Sequence, residues 1–256
     1  MNAFIAFTKK EWLETIRSGK LLILTILFLL FGIMNPAIAK LTPWMMELMS
    51  ESLSGTGLIV TQIQVDALVS WTQFFKNIPI ALIAFILIYS GIFTREYQSG
   101  TLVLVLTKGL SRSKAVLAKS ILMLTVWSFC YWLCFGVTYG YNMYFWDNGI
   151  ARSLLAAVGC WWLFGVWIIS LTVFFSTVFE NTAGVLAGTG GTALAAYVLG
   201  IFPLVKEYTP TNLLNASILL TGATEPAAYG KAVVLTVVLS AGAIGGGIAL
   251  MNRRHI

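Results

Sequence analysis

Six stretches of this chain are apolar for about the length a helix needs to cross a bilayer, and few folds tolerate that. A helix rising about 1.5 Å per residue needs roughly 20 residues to cross a hydrocarbon core of about 30 Å. The runs are Leu21–Ala39, Ile78–Phe93, Ile121–Tyr141, Ser153–Phe179, Ala183–Phe202 and Ala232–Met251. The second is short as drawn. Val60, Ile63, Ala67, Trp71, Phe74 and Phe75 follow helical spacing into it, which predicts an earlier start. Hydrophobic residues make up 58% of the chain and charged residues 10%, against about 45–50% and about 25% in soluble domains. Such a chain cannot cover itself with polar surface, so lipid is its solvent. The expected fold is an all-α membrane protein with six transmembrane helices, residues 1–256 forming a single transmembrane domain.

Basic residues set the orientation. With the N-terminus inside, Lys9, Lys10, Arg17, Lys20, Arg95, Lys108, Arg112, Lys114, Lys119, Arg253 and Arg254 are cytoplasmic. Lys40, Lys76, Arg152, Lys206 and Lys231 then lie outside, so both termini are expected in the cytoplasm. The net charge of +6 belongs to this pattern rather than to nucleic-acid binding, since no basic run exceeds two residues. Ala37-x-Ala39 has the form of a signal-peptidase site, but the apolar run before it is too long for a signal core, so the first span is expected to stay uncleaved. Residues 1–20 read as an interfacial helix on the cytoplasmic leaflet. At about 100° per residue Ile5, Trp12, Leu13 and Ile16 share one sector, with Lys10, Glu11, Glu14 and Arg17 opposite; Phe4 and Phe7 fall off the stripe.

Several chemistries are missing. His255 is the only histidine, which removes paired-histidine haem ligation, HExxH zinc sites and any Ser-His-Asp triad within the spans. Cys130, Cys134 and Cys160 sit inside apolar runs without CxxC spacing and read as buried thiols, so no metal site is expected. The spans carry essentially no ionisable residue with which to harvest an ion gradient. Asp147 and Glu180 fall on opposite sides of the membrane and cannot act as a pair. No GxxxxGK(S/T) loop binds ATP in this chain. No catalytic residue is expected, and any vectorial work must draw its energy from a partner.

Small residues stand four apart in the last two spans: Gly184 and Gly188, Ala187 and Gly191, Gly242 and Gly246, Ala243 and Gly247. That spacing permits close helix approach, either within one subunit or between two. Pro203 is expected to bend or end the fifth span. Tyr89, Tyr97, Trp127, Trp132, Trp161, Trp162 and Trp167 are candidates for a substrate path, although aromatic residues in spans also serve as belt and packing residues. The sequence singles out no substrate-binding residue.

The most polar stretch, "TREYQSGTLVLVLTKGLSRSKAVLAKS" (Thr94–Ser120), lies between the second and third runs. Gly100 and Gly109 bracket a segment too short to span, where Leu102, Leu106 and Leu110 give one apolar face. Ser111 or Ser113 suits the N-cap of the next helix, and Lys114 and Lys119 suit the headgroup boundary. Glu96-Tyr97, Gly100-Thr101-Leu102, Leu106-Thr107, Leu110-Ser111-Arg112 and Lys119 resemble the cytoplasmic-loop signature of the type-two ATP-binding-cassette (ABC) exporter permeases. The six spans, the preceding amphipathic helix and the "YTPTNLLN" segment extend the resemblance along the chain. Gly109 stands where proline is common, and Ala118 where glycine is common.

The resemblance implies a membrane subunit that pairs with a second copy or a paralogue and binds two separate ATPase subunits, in a bacterial cytoplasmic membrane. ATP and magnesium would sit on those partners, and this chain would need no cofactor of its own. Residues 94–119 would form the coupling helix region, with Glu96 its anchor, Gly100 and Thr101 its start, Leu102 and Leu106 its docking ridge, and Arg112 its basic flank. The turn at Glu180–Thr182 would be a second contact. Residues 206–230 would form an extracellular, partly re-entrant element. A lipophilic or amphipathic cargo (peptide, antibiotic or lipid-like) suits the uncharged spans. The alternative is a non-transporting immunity or sensor subunit on the same scaffold, which the long Lys40–Lys76 segment keeps open.

Overall fold

A computed structural model describes residues 3–53, 65–101, 107 and 110–253. Among them there is no strand. The helices are α1 (Ala3–Arg17), α2 (Lys20–Leu53), α3 (Ala67–Tyr89), α4 (Thr94–Gln98), α5 (Arg112–Phe145), α6 (Leu154–Val178), α7 (Thr182–Leu199), α8 (Pro203–Lys206) and α9 (Gly230–Arg253). Three 3-10 helices, Asn148–Ile150, Pro210–Thr221 and Pro226–Tyr229, join them. Six helical segments, built on α2, α3, α5, α6, α7 and α9, are long and apolar enough to cross a membrane.

Their edges follow local chemistry. Asp66 caps α3, its Oδ1 accepting from the backbone N–H of Leu68 and Val69 at 2.9 and 3.2 Å, so the second span does begin before Ile78. Asn181 caps α7 in the same way, accepting from Gly184 N–H at 2.6 Å. Ser111 is the N-cap of α5, although its side chain makes no capping bond. The first span is longer than its apolar run, because α2 continues through Pro36 and Pro43 to Leu53. α7 stops at Leu199, three residues short of the apolar run, and Pro203 opens α8.

α6 is the most enclosed span and packs on α5, α7, α9 and the Pro210–Thr221 helix, while α2 packs on α3 and α5. The centre is aromatic. Trp127 meets Phe28 and Phe85 edge-on at 5.8 and 5.7 Å between centroids, and Tyr131 meets Phe74 at 5.9 Å. Tyr89 and Trp127, two of the path candidates, are thus core residues. Gly165 admits the Trp127 indole, since a Cβ there would overlap its ring. In lipid, packing and interhelical hydrogen bonds must supply what the hydrophobic effect does not. Asn35 accordingly donates to Thr138 Oγ1 (3.0 Å) and accepts from Asn77 (2.7 Å), joining α2, α5 and α3. Gly184 and Gly188 serve packing within the chain: a Cβ on either would lie under 3 Å from Phe179 or Phe175. Gly191 and Gly242 face open space. The three cysteines are free and buried.

Candidate functional site

Where α1, α4 and the start of α5 meet, four charged side chains, Lys10, Glu11, Lys119 and Glu96, close a ring, and a fifth, Glu14, joins it through Lys10. Lys10, Glu11 and Glu14 come from α1, Glu96 from α4 and Lys119 from α5. Lys10 Nζ reaches Glu11 Oε1 at 2.9 Å, Glu96 Oε1 at 2.8 Å and Glu14 Oε2 at 2.8 Å. Lys119 Nζ donates to Glu11 Oε2 at 2.9 Å and to the Ile92 carbonyl at 3.1 Å. It also lies 3.1 Å from Glu96 Oε2. That last contact is a charge–charge approach rather than a hydrogen bond, because Glu96 Oε2 has no hydrogen-bond partner. Glu11 and Glu96 therefore each bridge the two lysines, one carboxylate oxygen apiece. The signs alternate around the ring, and Phe7 packs beside it, its centroid 5.5 Å from Lys10 Nζ and 5.7 Å from Lys119 Nζ.

Burial makes this arrangement consequential. Lys119 is 1% exposed, Glu11 4% and Glu96 8%. An ion that deep is tolerated only when paired and hydrogen-bonded. Burial alone would lower the pKa of Lys10, but hydrogen bonds to Glu14, Glu96 and Glu11 outweigh it and hold the ammonium above its ordinary value. Burial would raise Glu14, and its bond to Lys10 reverses that, holding the carboxyl below its usual range. Carboxylate oxygens of Glu11, Glu14 and Glu96 lie within 4.8 Å of one another. The Lys10 ammonium already binds all three carboxylates.

The expected site residues divide around this ring. Glu96 is in it, at the base of the loop. Gly100 ends α4 with φ +68°, a left-handed conformation that glycine adopts without strain. Thr101 is exposed and its Oγ1 lies 2.8 Å from Ser99 Oγ. Leu102 and Leu106, and with them the expected docking ridge, lie outside the described residues. Leu110, the third leucine of that apolar face, is buried against Phe7, Ala115 and Ala118. Arg112 opens α5 with Nη1 3.4 Å from the Asn252 carbonyl, tying α5 to the end of α9. Glu180 is exposed in the turn before α7, and that turn reaches α4 through Thr182 Oγ1, 3.1 Å from Thr94 Oγ1.

One expectation changes. Lys119 is not at a headgroup boundary but inside the ring, because two carboxylates await it there. On α1 the face turned inward carries Phe7, Glu11 and Thr15, while Ile5, Leu13 and Ile16 are 56%, 40% and 54% exposed. The sequence places Lys10, Glu11 and Glu14 on a polar face. No local pattern in the sequence signals that this face meets protein.

The fold and site define a six-span helical membrane protein in which α1 and the end of α9 both meet the start of α5, beside an ion-paired hub that holds the base of an inter-span loop. The family model for ABC-2 family transporter proteins matches residues 5–245. The chain belongs to this family. It is 23% identical over 226 residues to the uncharacterized transmembrane protein YxlG of Bacillus subtilis (strain 168), a match covering 87% of each chain. No solved structure matches it.

Proposed function

We propose that this chain is the membrane subunit of an ATP-driven exporter, acting as a pair with a second copy or paralogue and driven by two ABC ATPase subunits on the cytoplasmic side. The observation that carries this reading is the ring: the loop whose sequence resembles the coupling signature is fixed at its base to two other helices. Glu96 and Lys119 stand at the two ends of that loop, and Glu11 and Lys10 lock both to α1. A push on the loop would then move α1, α4 and the start of α5 as one body. The Thr94–Thr182 contact would pass the displacement to α7, the span least covered by the rest of the chain. Lys119 is the cationic centre of this linkage, Glu96 its loop-side anchor, and Arg112 a flank that reaches the end of α9.

The test is co-purification of the tagged chain with its candidate ATPase. Wild type should capture the ATPase, and Leu102→Asp/Leu106→Asp should lose it. Retention by the double variant would remove the docking ridge from the reading. Failure of the wild type to capture any ATPase would overturn the exporter assignment.

A further inference from the structure

Two cavities lie end to end along one face of α7. The larger of the two, about 400 Å³, is bounded by Ile83, Leu87, Phe164, Leu186, Ala193 and Leu214. The other, about 160 Å³, lies toward the α8 end and is lined by Tyr197, Gly200, Lys206, Thr209, Asn212 and Asn215; Leu214 borders both. The first is almost wholly apolar, with two exceptions. Trp161 and Thr189 line it, are 6% and 3% exposed, and neither Trp161 Nε1 nor Thr189 Oγ1 has a hydrogen-bond partner. Thr189 is unusual for a hydroxyl in these spans. Thr172, Thr192 and Thr236 each donate to the carbonyl four residues back, at 2.9, 2.9 and 2.6 Å. An indole N–H and a hydroxyl left unpaired just behind the wall of an apolar trough are a standing cost, which a ligand oxygen pressed into that wall would remove.

The second cavity supplies charge. Lys206 is exposed and in no ion pair among the described residues, whereas its neighbour Glu207 is bound to Lys231 at 2.8 Å. Along the α7 axis residue 186 is about 21 Å, and residue 189 about 16 Å, from residue 200, which caps the helix. That places Trp161 and Thr189 near the middle of a core about 30 Å thick. A phospholipid carries its ester oxygens at the headgroup end, far from that depth. We infer that the two cavities form one binding site for an anionic single-chain amphiphile whose apolar body carries an oxygen acceptor at mid-chain, its charged end beside Lys206. Binding needs neither ATP nor a second subunit; only the naming of this ligand as cargo rests on the exporter reading.

The test uses the purified full-length chain in nanodiscs, without ATPase, and two probes: octadecanoate and a mid-chain keto-octadecanoate, followed by equilibrium binding. Wild type should prefer the keto acid by about tenfold, the size expected for satisfying a buried donor. Trp161→Phe/Thr189→Val should erase the preference while the unliganded melting temperature stays level or rises, because only unpaired polar atoms are removed. Thr189→Ser, which keeps the hydroxyl, should retain preference. Lys206→Gln should weaken both probes alike. Equal binding of the two probes by wild type, or a preference surviving in the double variant, overturns the acceptor assignment. Unchanged affinity in Lys206→Gln overturns the placement of the charged end. Since no ATPase is present, these results stand apart from the co-purification outcome.

Discussion

Replacing Lys119 by methionine keeps the length and apolar volume of the side chain and deletes only its charge and donors. Two carboxylates, Glu11 at 4% exposure and Glu96 at 8%, then lose the cation between them, although each keeps Lys10 on its other oxygen. Removing one partner of a buried ion pair costs about 3–5 kcal/mol. The remaining bonds to Lys10, which is 44% exposed at its side chain, place this variant toward the lower bound. At roughly 2–4 °C per kcal/mol for a chain of this size, 3 kcal/mol lowers the melting temperature by about 6–12 °C. The assay is a thermal melt of the detergent-purified protein, with Lys114→Met, an exposed lysine one turn away, as the control expected within about 0.5 kcal/mol of wild type. Adding Glu11→Gln to Lys119→Met should cost less than the sum of the two single changes, because the stranded charge is removed with it. If Lys119→Met melts with wild type, or the two changes are additive, the ring does not hold α1 to the loop and the linkage proposed above fails.

The pH dependence of α1 docking has a defined sign. Glu14 is held below its ordinary pKa of 4.5, so its contribution is full above that value and is lost as pH falls through the lower folded-state value. Lys10 is held above its ordinary 10.5, so its contribution is full below that value and is lost as pH rises through the higher folded-state value. Protease protection or hydrogen exchange of α1 should be level between about pH 5 and 10 and decline outside; a maximum confined to neutral pH would contradict it. Gly165→Ala should destabilise by about 1–3 kcal/mol, since its Cβ would overlap the Trp127 indole. Gly159→Ala on the same helix meets no atom within 4 Å and should be near neutral in the same melt.

Much of this protein is readable from the order of its residues. Hydropathy is a local property, so the six spans, the start of the second before Ile78 and the polar loop after the second follow from short windows. The family resemblance is equally local, carried by the run from Glu96 to Lys119. Other features depend on contacts that no window contains. Lys119 and Glu11 are 108 residues apart, and nothing near either one announces the other. The periodicity of α1 identifies a polar face but not which surface covers it, because a helix wheel carries no partner. Of its apolar stripe, Ile5, Leu13 and Ile16 are exposed while Trp12 packs against the core, and on the opposite face Glu11 is buried in an ion pair. Trp161 and Thr189 look like any packing residues in their own helices. Only the meeting of α3, α6 and α7 leaves their polar atoms unmatched just behind the wall of an apolar trough. Local chemistry thus determined what each segment is, and tertiary packing decided which charges are buried and which hydrogen-bonding groups are left to meet something else.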